Sequence, residues 1–326
     1  NTLNIGADLG AMAKATQLIL PKFNFAFLII IFTVLSLGLQ IFLTYKDYAK
    51  YLKWLALILL SYVLTMFLIK MDGHALFKNA VLPALEFSKD QIFLICGILG
   101  TTISPYLFFW QTSQEVEEEI LEGRTTILQR KTVNAQELKK MRVDIWSGMF
   151  LSNLVMFCII AVCAAVLNQN GITNISTASE AAAALGPLAG KYASLLFAVG
   201  VIGVGLLAGP VLAGGAAYAL SETLGWKQGL YRKLNKARAF YGVIIISMII
   251  GLGLNFTRID PIKILIYAAV LNGLVAPVIL ILIMKISSNK KIMGEWVNKK
   301  PTTYLGWITT GIMSVVALST IASIIF

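Results

Sequence analysis

Gly100-Thr101-Thr102-Ile103-Ser104-Pro105 interrupts a charge-free apolar run from Ile92 to Trp110 at its centre. Pro105 has no backbone N–H and its ring presses on the preceding turn, while Gly100 and the hydroxyl residues Thr101, Thr102 and Ser104 weaken the helix ahead of it. In lipid an unpaired carbonyl or amide costs several kcal/mol, so non-helical backbone survives there only if it is buried in protein or lines a polar cavity. Interrupted helices of this kind build midplane substrate and ion sites in secondary transporters. A second residue with chemical potential, Asp8, lies in an apolar stretch, where a carboxylate is costly unless it is paired or wet.

The elements that must position these residues read as membrane helices. The 326 residues are 58% hydrophobic and 13% charged, with mean hydropathy +0.79. Long charge-free runs cover 23–45, 54–69, 92–114, 145–179, 192–221, 239–257, 264–284 and 302–326. Most reach the ~20 residues that cross ~30 Å of hydrocarbon, and 54–69 makes up its shortfall through snorkelling Lys53 and Lys70. That gives eight spans, preceded by Asn1–Leu20 as the outer part of a ninth. With no initiator Met and no basic signal-peptide n-region, the chain reads as an N-terminally truncated fragment.

The net charge of +11 follows membrane topology, with no basic face or tail of the kind nucleic acid requires. Nineteen of the twenty-seven Lys and Arg fall in four alternate connections, around 46–53, 124–142, 227–238 and 285–300, against seven in the intervening ones. The positive-inside rule places the rich connections in the cytoplasm, so 112–144 is a cytoplasmic loop, Arg130 and Lys139 lie inside, and Asn174 and the end of the last span lie outside. The whole of 1–326 reads as a single polytopic membrane domain.

Enzyme chemistry lacks its usual materials. Cys96, Cys158 and Cys163 lie in apolar runs without a CxxC pattern and read as small buried hydrophobes. The only histidine, His74, sits beside Asp72 in an external loop, so neither a zinc cluster nor a histidine triad can be assembled. The Asn174-Ile175-Ser176 triplet fits a glycosylation acceptor but is common by chance.

Asn4-Ile5-Gly6-Ala7-Asp8-Leu9-Gly10-Ala11-Met12 and Thr101-Thr102-Ile103-Ser104-Pro105-Tyr106-Leu107-Phe108-Phe109-Trp110-Gln111 together resemble the Nramp family of divalent-metal transporters, in its divergent bacterial branches. The resemblance covers essentially all of the chain. It implies an all-α integral membrane protein of the LeuT-type fold with two inverted five-helix repeats: a partial first repeat beginning within helix 3, a complete second repeat, and helix 11. On that resemblance helices 1 and 2, with the helix 1 Asp-Pro-Gly motif of the metal site, would be missing from the sequence. It further implies a transporter rather than an enzyme, with no cofactor, carrying a divalent cation by alternating access across a bacterial inner membrane.

In the family, helix 6 carries Ala-x-x-Met-Pro-His, and the metal takes a carbonyl at the first position and a thioether at the fourth. Thr101, Ser104, Pro105 and Tyr106 stand there in this sequence, which makes Thr101 and Ser104 the candidate metal ligands and Gly100, Thr102, Ile103 and Pro105 the rest of the helix break. A soft sulfur ligand favours transition metals, whereas a hydroxyl is hard and discriminates less against Mg²⁺. The two histidines of family helix 6 are Tyr106 and Gln111 here, and neither titrates near neutral pH. Where helix 3 of the family often has Asp-Leu-Ala-Glu, this chain has Asp8-Leu9-Gly10-Ala11, so one of two acids linked to proton release is absent. Such departures are similar to those of Nramp-related magnesium transporters. They imply a cargo of the Mn²⁺/Fe²⁺ class with weak discrimination against Mg²⁺ and little proton coupling. Asn153 aligns with a helix 7 asparagine and Asn272 lies mid-span in helix 10.

Each residue also has a plainer reading. The Ser104 and Thr101 hydroxyls can cap the helix break, Tyr106 can be a wall aromatic, and Asn153 and Asn272 can be interhelical glue. Asp8 can pair with a preceding helix. Glu115, Glu117, Glu118 and Glu119 either attract cations at a cytoplasmic exit or form a solvated face opposite nearby Arg and Lys. The glycines between Gly200 and Tyr218 allow close helix approach, and the alanine run before Gly186-Pro187 reads as a short external helix. Two other functional classes use similar parts: a LeuT-fold carrier of an amino acid or other organic solute, and a non-transporting Nramp-like sensor.

Overall fold

The computed structural model describes all of the chain except residues 44, 70, 72, 83–87, 131–133, 173, 174, 176, 258–260 and 326. Lys70, Asp72, Lys131, Arg258 and both Asn174 and Ser176 of the glycosylation-type triplet therefore lie outside the described residues. Everything regular that is described is helical. In chain order the helices are α1 (Thr2–Ile19), α2 (Phe25–Phe42), α3 (Tyr45–Ile58), α4 (Leu60–Leu68), α5 (Gly73–Val81), α6 (Lys89–Thr102), α7 (Pro105–Leu121) and α8 (Ile127–Arg130). They continue with α9 (Ala135–Val162), α10 (Ala178–Ala189), α11 (Lys191–Thr223), α12 (Arg238–Leu254), α13 (Pro261–Ser287), α14 (Lys290–Met293) and α15 (Lys300–Ile325).

Seven described helical segments are long and apolar enough to cross a membrane, and the 17-residue α12 is a shorter apolar helix. These eight coincide with the eight apolar runs, as an all-α integral membrane protein requires. Local sequence sets their limits. Asn24 accepts from the Ala26 amide at the start of α2, Ser88 caps α6 through Gln91, and Asn134 and Glu137 form a reciprocal capping box on α9, each satisfying amides that a helix start leaves open.

Several limits differ from those read in the sequence. The span over 54–69 begins earlier, at Lys50, and is interrupted at Leu59 between α3 and α4. The run 145–179 does not hold one helix: α9 widens into a π-helical segment at Cys163–Leu167, tightens into a 3-10 turn at Asn168–Asn170, and stops at Gly171, whose φ of 76° is left-handed. Within 112–144, residues through Leu121 continue α7 and those from Ala135 begin α9. The short helix expected before Gly186-Pro187 is α10, which incorporates both residues and ends at Gly190.

The chain divides into two compact units, residues 1–81 with 110–262, and residues 82–109 with 263–326. In the first, α1 packs on α11 and α12, and α2 packs against all three. Small residues make that closeness possible: Met12 of α1 occupies the space a side chain at Gly205 would need, and Ile5 does the same at Gly251. Asn255 donates to the Gly6 carbonyl at 2.6 Å and to Gly251 at 3.1 Å. Tyr62 sits against Gly200 and Trp110 against Gly214, so the α11 glycines serve packing. A further apolar core joins Val155 and Val162 of α9 to Ala182 and Leu185 of α10 and Phe197 and Ala198 of α11.

In the second unit α6 packs on α15, and Gly100 lies directly against α13. A Cβ at Gly100 would meet the Ala269 carbonyl and the Gly273 backbone, and one at Gly273 would come within 2.5 Å of the Cys96 carbonyl. Cys96 and Cys158 are buried and Cys163 is half-buried, all as free thiols.

Candidate functional site

The helix break is narrower than the expected Gly100–Pro105. Gly100, Thr101 and Thr102 complete α6, and Pro105 opens α7, leaving only Ile103 and Ser104 between them. Thr101 and Thr102 each donate their hydroxyl back to the Ile98 carbonyl at 2.8 Å, a bond compatible with helical backbone. Pro105 is tolerated because the first helical position needs no amide donor. Ile103 leaves the helical region at φ −111°, ψ 61°.

Ser104 closes the gap. Its hydroxyl lies 2.7 Å from the Thr101 carbonyl and 3.0 Å from the Gly100 carbonyl, while its own carbonyl accepts from the Leu107 amide at 3.1 Å to begin α7. Ser104 is 2% exposed, whereas Thr101 is exposed and Thr102 and Ile103 are half-buried. The capping function of Ser104 is thus visible, and it brings three oxygens of consecutive turns together: two carbonyls and a hydroxyl. Asn272, half-buried on α13, directly precedes the Gly273 that abuts Gly100. Tyr106 is half-buried on the first turn of α7.

The other candidates sit in the first unit. Asp8 is half-buried on α1 between buried Ala7 and Leu9, and among the described residues it has no hydrogen-bond or ion-pair partner. Asn153 is exposed on α9 and returns its amide to the Met149 carbonyl at 2.7 Å. Gln111 donates to Glu115 at 2.8 Å one helical turn further along α7. Among the described residues no three His, Cys, Asp or Glu side chains gather as a metal cluster.

One functional-looking residue was misread in sequence. Glu117, assigned with its acidic neighbours to a solvent or exit face, is 2% exposed. Its carboxylate accepts from the Tyr218 hydroxyl at 2.6 Å and from the backbone amides of Leu230 at 2.7 Å and Tyr231 at 2.9 Å. A buried carboxylate costs little when several donors surround it, and here it ties α7 to α11 and to the connection after α11. An edge-to-face aromatic series from Trp110 through Tyr218 and Phe240 to Tyr241 backs the contact. Glu119 does follow the solvated reading, pairing with Arg124 at 3.5 Å and Arg130 at 4.0 Å. The Arg124 guanidinium is pushed above its ordinary value, first by its hydrogen bond to Glu122.

Long apolar helices, one of them interrupted at mid-length by a serine-proline step, define an all-α integral membrane protein. A family model described as Natural resistance-associated macrophage protein-like matches residues 1–323, and the chain belongs to the Nramp family. Relatives named divalent metal cation transporter MntH are similar to it. That of Caldanaerobacter subterraneus subsp. tengcongensis is 28% identical over 74% of this chain and 53% of its own length. The Vibrio campbellii protein is 26% identical over 79% and 56%, and the Bacillus subtilis protein 24% identical over 78% and 55%. The chain spans about half the length of the curated relatives it matches.

Proposed function

We propose that the protein to which this chain belongs moves divalent metal cations across a bacterial plasma membrane, with weak discrimination against Mg²⁺ and little proton coupling. The oxygens at the break carry the reading. Ligand oxygens of an octahedral cation at ~2.1 Å stand ~3 Å apart along an edge, close to the 2.7 Å and 3.0 Å that separate the Ser104 hydroxyl from the Thr101 and Gly100 carbonyls. A cation shared by Ser104 and the Thr101 carbonyl would replace their hydrogen bond by ion–oxygen contacts. All of these donors are hard, and nothing among them favours Mn²⁺ or Fe²⁺ as a thioether would.

Little proton coupling follows from Tyr106 and Gln111, which occupy the first turns of α7 without a group that titrates near neutral pH. Asp8 is the remaining acid, and its half-buried carboxylate in an apolar helix marks an ion path or a pairing with a preceding helix. The mutual packing of α1 and α2 with α11 and α12 supports a LeuT-type arrangement, because inverted repeats make helices 3 and 4 the counterparts of helices 8 and 9. Alternating access would then run on that scaffold.

Reconstitution of the complete protein in liposomes tests the reading. Mn²⁺ uptake competed by millimolar Mg²⁺, with an internal pH dye unchanged, is the expected outcome. Proton influx accompanying Mn²⁺, without competition from Mg²⁺, would overturn it in favour of a proton-coupled manganese and iron importer.

A further inference from the structure

α2 buries three polar residues among its apolar ones: Thr33 at 4% exposed, Ser36 at 0% and Gln40 at 2%. Thr33 is satisfied within the helix, donating its hydroxyl to the Ile29 carbonyl at 2.7 Å. The other two are not. Among the described residues the Ser36 hydroxyl has no hydrogen-bond partner, and neither has the side-chain oxygen of Gln40. The Gln40 amide folds back one turn to donate to the Ser36 carbonyl at 3.1 Å, which holds its unpartnered Oε1 within a turn of Ser36.

A third polar group comes from α11. Pro210 lies inside that helix and has no amide hydrogen to offer the carbonyl four residues earlier, which belongs to Leu206. Helical carbonyls point towards the residue four further on, so this one emerges at Gly209 and Pro210. Ser36 stands at that place: a Cβ at Gly209 would lie 3.9 Å from its Oγ. A hydroxyl and two carbonyl oxygens left unpaired in an apolar interior are each more destabilising than a hydrogen bond is stabilising. α1, α11 and α12 pack around α2 and close Ser36 and Gln40 off from the surface, so the missing partner has to be small.

Counting donors and acceptors names it. Ser36 offers a hydroxyl proton, whereas Gln40 Oε1 and the Leu206 carbonyl only accept. A water molecule that accepts once and donates twice satisfies all three, with the three hydrogen bonds usual for buried water. A metal cation would instead place a charge between α2, which carries no charged residue, and α11, which carries none from Tyr192 to Ser221, and an unpaired buried charge is far costlier than a neutral molecule. We infer that a water molecule is bound between α2 and α11, accepting from the Ser36 hydroxyl and donating to Gln40 Oε1 and to the Leu206 carbonyl, as a bridge at the proline of α11. The inference rests on the packing of these two helices and not on which ion is carried.

A density map of the complete protein, at a resolution that shows ordered waters, tests this directly and needs no variant. A peak at hydrogen-bond distance, about 2.7–3.2 Å, from Ser36 Oγ, Gln40 Oε1 and the Leu206 carbonyl is expected. Absence of that peak would overturn the inference. A peak lost when Na⁺ is replaced by choline would overturn it as well, assigning the site to a cation. Thermal unfolding supplies an independent reading. Ser36→Ala keeps the backbone carbonyl that Gln40 bonds, and Gln40→Met conserves volume; each leaves the bridge incomplete and should lower the midpoint. Combined, they should lower it by clearly less than the sum of the two, since both side chains act through one molecule. Additive losses would mean that the two residues act separately, and the bridge would be refuted.

Discussion

Ser104 closes the helix break, and in the proposed reading its hydroxyl also offers a hard oxygen to the cation. Ser104→Ala removes the hydroxyl shared by the Gly100 and Thr101 carbonyls, and a buried hydrogen bond lost in this way costs about 1–2 kcal/mol. A lower midpoint of thermal unfolding, restored by Ser104→Thr, is the expected result; an unchanged midpoint would mean the carbonyls find other donors. Ser104→Met loses the same cap but adds a thioether, so it should be compared with Ser104→Ala rather than with the parent. Against that reference, inhibition of Mn²⁺ uptake by Mg²⁺ should weaken, because sulfur favours the softer ion. Equal inhibition in the two variants would remove Ser104 from the ligand set.

At the level of elements, α7 is fixed at its far end by one carboxylate. Glu117→Ala leaves the Tyr218 hydroxyl and two backbone amides without their acceptor, and the expected loss is about 3 kcal/mol or more, against about 1 kcal/mol for Tyr218→Phe. Thermal unfolding checks the order, and protease cleavage within 226–236 should rise in the Glu117 variant alone. The helix break is legible because Gly, Ser and Pro act locally on backbone; its width is not, because Thr101 and Thr102 bond back to the Ile98 carbonyl and stay helical. The sequence could not show Glu117 as buried. Four acids within five residues read as solvated, and the donors that change this lie 101 to 114 residues away. The only available signal was that Glu117 follows Trp110 by two helical turns, on the face that meets Tyr218. Gly100→Ala probes the other close contact: its methyl group has no space against Ala269 and Gly273, and reduced yield of folded protein is expected, whereas Gly311→Ala, which meets nothing within 4 Å, should be neutral.

For the whole molecule, the charge asymmetry between alternate connections predicts which way the chain crosses the bilayer. Lys139 and Tyr192 are both exposed and stand at opposite ends of the segment from α9 to α11. A membrane-impermeant thiol reagent applied to intact cells should modify a cysteine at 192 and spare one at 139, in a background lacking Cys96, Cys158 and Cys163; the reverse pattern would invert the topology. The number and order of spans were legible from hydropathy because lipid demands a continuous apolar length from each helix. How α1, α2, α11 and α12 fit together was not, since that depends on which glycine faces which side chain, as Gly205 faces Met12.

The π-helical turn at Cys163–Leu167 has a consequence for how the chain tolerates changes of length. A π turn stores one residue more than the α-helix it interrupts and confines that surplus to a few positions. Deleting Ala164 should let the segment revert to α-helix while Val155 and Val166 keep their places in the core. Deleting Leu154, inside regular helix, should instead turn everything after it by about 100°, sending Val162 out of the core it shares with α10 and α11. Single-residue gaps among relatives in this helix are accordingly expected at the π turn. A folded, membrane-inserted Ala164 deletion beside an unfolded Leu154 deletion would show that the surplus residue is stored there.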